Sequence, residues 1–138
     1  MSFLKIDIIL GGVISLLVAN GHRTFYQFFH WEDVFKPLSI FDRKVFYTLN
    51  LFLIPLFLFS AAISFFYTDE LVRAEGLARG VLIFHVLFWL SRGIWQIVYF
   101  HPSQMGPDQA RVLRVHYTVL AASFACFVIY LLPLIARL

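Results

Sequence analysis

The chain has 138 residues, 61% of them hydrophobic and 14% charged, with a mean hydropathy of +0.82 and a formal net charge of +3. Soluble domains average about 45–50% apolar and about 25% charged, and a fold this small keeps much of its surface exposed. The composition excludes a water-soluble globule, and the scattering of Lys and Arg along the chain excludes the basic stripe of a nucleic-acid reader.

The first apolar run is Ile8 to Ala19, interrupted by Gly11-Gly12 and followed by Asn20, Gly21, His22 and Arg23. A membrane span needs about 20 residues. This one reaches that length at about 4–22, by including Lys5 and Asp7, or by running on past His22. Asp7 is unusual for the n-region of a signal peptide, so a retained helix is expected. Residues 24–36 mix Phe25, Phe28, Phe29 and Trp31 with Gln27, His30, Glu32 and Asp33. Aromatic rings with polar tips suit the headgroup layer, so this segment reads as an interfacial helix or an extension of the first helix. Lys36-Pro37 ends it.

The second span is the clearest, free of charge from Val45 to Tyr67 with Pro55 near its middle. Bundle neighbours let a membrane helix tolerate such a proline. Thr68-Asp69-Glu70 reads as a turn, with Thr68 or Asp69 as an N-cap. A helical lead-in, Leu71 to Gly80, precedes a third span at about 80–100. A proline-glycine loop, His101 to Asp108, precedes a fourth span at about 111–136. The expected fold is therefore an all-α integral membrane protein, an antiparallel bundle of four transmembrane helices forming a single domain over 1–138. No internal repeat supports an inverted-repeat transporter.

Both termini fall on one side, A, which carries Lys5, Arg73, Arg79 and Arg137. The opposite side, B, carries Arg23, Lys36, Arg43, Lys44, Arg111 and Arg114. The excess on B favours loops 23–44 and 101–110 on the cytoplasmic face of a plasma (inner) membrane. Small residues spaced by four mark expected helix contacts: Gly11 and Ser15, Ser60 and Ser64, Gly76 and Gly80, Ala121 and Ala125.

The third span carries the chemistry. His85, Trp89, Arg92, Gln96 and Tyr99 share one helical face, and a polar stripe in lipid turns toward protein or water. Arg92 lies roughly 12 Å inside the B end at 1.5 Å per residue. No span-centre carboxylate exists to pair with it. A polar cluster is expected in the B half from Asn20, His22, Asn50, Arg92, Gln96, His116 and Tyr117. Two readings follow. Arg92 is either a structural pin that snorkels toward side B, or the charge partner of an intramembrane ligand oriented by Gln96, Asn50 and Tyr117.

His85 and His116 differ in depth by more than ~10 Å across a ~30 Å core, so they are not two ligands of one haem. His22 and His116 match in depth and allow haem b, with Arg92 on a propionate. A metal site from His22, His30, His101 and His116 lacks a recognised ligand spacing. The lone Cys126 excludes an intrachain disulfide and thiolate clusters. The general plan resembles the small membrane protoporphyrinogen oxidases and copper-resistance D proteins, in Gly11-Gly12, His22-Arg23 and a histidine-bearing third span. No residue role is carried over from that resemblance.

With no acid–base pair or nucleophile triad, the leading expectation is a non-enzymatic accessory or subunit protein. It would act through helix packing with a second copy or a membrane partner. A haem- or quinone-type ligand protein is the alternative, and a small oligomeric transporter or channel comes after that.

Overall fold

The computed structural model describes residues 3–100 and 109–137. Every regular element among them is a helix: α1 (Phe3–Phe28), α2 (Trp31–Val34), α3 (Ile40–Phe66), α4 (Thr68–Arg73), α5 (Gly76–Val98) and α6 (Gln109–Ile135). Helices α1, α3, α5 and α6 are each long and apolar enough to cross a bilayer, and the protein is a small polytopic membrane protein. They run antiparallel in chain order between end A, with residues 3 and 135, and end B, with residues 28 and 40. The proline-glycine loop expected at 101–108, with His101, lies outside the described residues.

The first helix takes the longer of its two expected courses. It passes His22 without a break and stops at Phe28, where His30 adopts the left-handed conformation (φ 50°). The segment 24–36 is thus not one interfacial helix. Its first part extends α1, and the single turn α2 follows. Lys5 is neutralised by an ion pair to Asp69 on α4, while Asp7 is buried, with Oδ2 lacking a hydrogen-bond partner.

Helix α3 starts earlier than expected because Ser39 caps it. The Ser39 hydroxyl accepts from the Asp42 amide at 3.1 Å and donates to the Asp42 carboxylate at 2.7 Å. Thr68 is not an N-cap. Its hydroxyl donates to Ser64 O at 2.6 Å and closes the C-terminal end of α3 instead. The lead-in to the third span is also broken, with Ala74 (φ 52°) and Gly76 (φ 50°) turning the chain between α4 and α5. Glycine takes that conformation without a Cβ clash, and a second left-handed residue tightens the corner.

Packing centres on α1, which lies against both α3 and α6, while α5 lies on α6. The approach is close because Gly11 and Gly12 face different neighbours. A Cβ at Gly11 would stand 3.0 Å from Ile129 and Tyr130 of α6, and one at Gly12 would stand 2.8 Å from Phe65 of α3. Without a hydrophobic drive between helices in lipid, such backbone proximity is what dispersion needs. Helices α3 and α5 meet through side chains, with Phe57 on Phe88 and Trp89 at ring distances of 5.8 and 5.6 Å and Ser60 on His85. Short α4 closes end A by touching α1, α5 and α6, and seats Leu71 and Ala74 in the core.

Two outcomes test this packing. Gly11→Leu and Gly12→Leu are expected to lower Tm in detergent, by overpacking worth about 1–3 kcal/mol. Gly80→Ala, which has open space around its Cβ, should leave Tm unchanged or raise it. Second, the Lys5 ammonium holds the Asp69 carboxyl below its ordinary value of 3.8. A carboxylate depressed in the folded state stabilises at pH above its unfolded value, and that contribution fades as pH falls through the folded value. The Tm difference between wild type and Asp69→Asn should therefore be constant near neutrality and close below about pH 4.

Candidate functional site

Polar side chains collect at two levels of the bundle. The level toward end A draws on all four long helices. Ser15 of α1 lies 3.2 Å from Ser60 of α3, and Ser60 lies 2.8 Å from Nε2 of His85 on α5. Tyr130 of α6 lies 2.8 Å from Ser64 of α3, and its ring is 4.5 Å from that of His85. Donors and acceptors can be assigned. His85 Nδ1–H donates to Val81 O at 2.8 Å, so Nε2 accepts from the Ser60 hydroxyl. Ser64 donates to Ser60 O, so the Tyr130 hydroxyl donates to Ser64. Every member is buried and partnered, which is the condition under which a polar core specifies one packing. His85 thus belongs to this group and not to the one around Arg92. Sequence spacing marks the three serines only as packing residues and gives no signal for Tyr130.

The level toward end B divides into two strands of hydrogen bonds. In one, His22 Nδ1–H donates to Asn50 Oδ1 at 2.9 Å, and Asn50 Nδ2 donates to His22 O at 3.0 Å. This double link pins α1 to α3. In the other, Arg92 Nη1 donates to Gln96 Oε1 at 2.6 Å, and Gln96 Nε2 donates to His116 Nδ1 at 2.9 Å, joining α5 to α6. Gln96 orients both neighbours, since its carbonyl faces a cation and its amide a histidine lone pair. Asn20 and the Tyr117 side chain are exposed and join neither strand. Tyr99 is likewise exposed, so the inward stripe of α5 ends at Gln96. Among the described residues no carboxylate pairs with Arg92.

Between α1 and α6 the B half opens into a cavity of about 830 Å³, within the range of small-molecule sites. Its inner part is apolar, from Ile14, Leu17 and Val18 of α1 to Ala122 and Ala125 of α6. Ala121 and Ala125 were expected to mark a helix contact, yet they line this space. His22, stacked on Phe57 at 5.3 Å, and Trp89 form its inner wall beside Arg92. The Trp89 indole N–H is buried without a hydrogen-bond partner. Arg111 and Arg114 stand toward end B with Phe25 and Phe28. Arg111 is steadied there by Phe28 O at 3.3 Å and by the Phe28 ring at 5.2 Å. Three arginines thus line one mostly apolar cavity, with His22 and Thr118 its other polar residues apart from Trp89. The sequence had placed Arg111 and Arg114 only as topology signals.

His22 lines the cavity and His116 does not, because His116 is turned onto Gln96. Among the described residues no group of three or more His, Cys, Asp or Glu side chains is arranged to hold a metal ion. A groove of about 900 Å³ at end A is lined by Glu70, Arg73 and Glu75, where mixed charge offers no preference for one sign.

Comparison with known proteins gives no match: no family model fits the chain, and no curated protein or solved structure matches it. The chemistry of the site therefore rests on its own residues.

The hydrogen-bond assignment predicts an asymmetry. Tyr130→Phe should cost only about 1 kcal/mol, since Ser64 keeps its bond to Ser60 O. Gln96→Leu should cost about 2–4 kcal/mol, because it strands both Arg92 and His116. Equal losses in a denaturant series in detergent would contradict the assignment.

Proposed function

We propose that this protein is a non-enzymatic accessory protein of the plasma membrane that holds an amphiphile with an acidic end in the α1/α6 cavity. One observation carries the reading. Arg92, Arg111 and Arg114 line a cavity whose other walls are almost wholly apolar. A guanidinium at this depth is costly without an anion, and among the described residues Arg92 has only the neutral Gln96. An anionic guest supplies the missing charge, and the apolar inner walls suit its body. Arg92, Gln96 and His22 are the proposed binding residues, with Asn50 orienting His22. Asn20 and Tyr117 are left outside the proposed site.

The excess of Lys and Arg at end B supports a cytoplasmic face for that end. A second copy or a membrane partner is compatible with this reading. A channel through a single chain is disfavoured, because Phe57, Phe88 and Trp89 stack between the two polar levels.

Haem b is a second reading, favoured by one detail. His22 donates through Nδ1 to Asn50, which leaves the Nε2 lone pair available to iron. Arginines beside it suit propionates. Only His22 would serve as a ligand, in place of the His22–His116 pair.

Organic extraction of the protein purified in mild detergent is expected to release an acidic amphiphile near one equivalent. Arg92→Ala, folded by circular dichroism, should retain about 10–100-fold less. A Soret band that is lost in His22→Ala would select haem. Equal retention of every amphiphile by wild type and Arg92→Ala would sink the binding reading and return the helix-packing one.

A further inference from the structure

The cavity has an internal order that narrows its guest. It is lined by α6 from Arg111 to Ala125 and by α1 from Ile14 to Phe28, a length of roughly 21 Å at 1.5 Å per residue. Gln96 meets His116, so Arg92, one turn deeper on α5, lies beyond His116 toward the bundle centre. Arg114 lies on the other side of His116, toward end B. The cations therefore bracket a space from two helices and two depths, while the apolar lobe at Ile14, Val18 and Ala122 continues further inward. The cavity is a slot with charge at its outer part and oil at its inner end.

Resting on the binding reading above, we propose that the guest is an anionic phospholipid of the end-B leaflet. Its phosphodiester lies between Arg92 and the Arg111–Arg114 pair, and one acyl chain fills the inner lobe. Three features select this class. A carboxylate presents two oxygens in one plane and is satisfied by a single guanidinium fork. A tetrahedral phosphate presents oxygens to arginines that arrive from different sides. Arg111 and Arg114 begin α6 and sit with Phe25 and Phe28, an aromatic and basic setting that matches headgroup depth. Basic pockets between helices on the cytoplasmic side are also where anionic headgroups bind. A net anionic lipid is required because a choline cation would be brought against the same arginines.

The test uses the full chain, delipidated in detergent and titrated by native mass spectrometry with dioleoyl phosphatidylglycerol, dioleoyl phosphatidylcholine and oleate. Phosphatidylglycerol is expected to bind at one equivalent, at least about tenfold tighter than either of the others. Two variants probe the two ends of the slot. Gln96→Glu places a carboxylate against Arg92 and, with its fold checked by circular dichroism, should weaken phosphatidylglycerol binding about tenfold. Ala122→Phe fills the inner lobe and should weaken it comparably. Lys44→Gln, which removes a charge at the same end outside the cavity, should have no effect.

If oleate or haem binds best and both cavity variants still reduce it, the phospholipid assignment falls while the binding reading stands. If phosphatidylglycerol binds but neither variant changes it, the lipid is an annular one and the assignment falls. If no amphiphile responds to either folded variant, both readings fall together.

Discussion

The closeness of α1 to two neighbours at once governs this bundle. Gly11 lets Ile129 and Tyr130 of α6 reach the α1 backbone, and Gly12 does the same for Ser64 and Phe65 of α3. Adjacent glycines point about 100° apart on a helix of 3.6 residues per turn, so one pair serves two partners. Ser15, one turn on from Gly11, then falls within hydrogen-bonding reach of Ser60, and the polar core closes around it. Tyr130 is brought to Ser64 and His85 by the same approach.

Helices that touch closely at one level diverge at another. Side chains of α6 close on the α1 backbone at Gly11, toward end A, and the cavity between the two helices spans Ile14 to Phe28 on α1. The α1–α3 pair does not open in this way, because His22 and Asn50 form a two-bond clasp at the matching depth.

The two polar levels differ in their electrostatics. The core near end A is neutral and self-satisfied: serines, a tyrosine and a histidine whose acceptor nitrogen is filled by Ser60. It rigidifies the bundle without needing anything from outside. The level near end B carries a cation that its own residues orient but do not neutralise. The same low-dielectric surroundings that strengthen the first group make an unpaired cation in the second costly. The neutral and the charged levels are separated along the length of the molecule by a layer of Phe57, Phe88 and Trp89.

Much of this was legible in the residues. Apolar run length determined the spans, because the bilayer imposes its thickness on any helix that crosses it. Helical spacing determined that His85, Trp89 and Gln96 face inward, because a polar stripe avoids lipid. Arg92 was conspicuous for want of a carboxylate, a matter of inventory. What periodicity cannot convey is which helix lies next to which, or how each is rotated about its axis. In lipid that order comes from side-chain packing and interhelical hydrogen bonds, with no hydrophobic collapse to dictate it. Only the tertiary structure therefore decided that His85 joins Tyr130 instead of Arg92, and that Asn20 and Tyr117 face away. It alone showed that Ala121 and Ala125 border a space, and that Arg111 and Arg114, remote from Arg92 in the chain, line the same cavity.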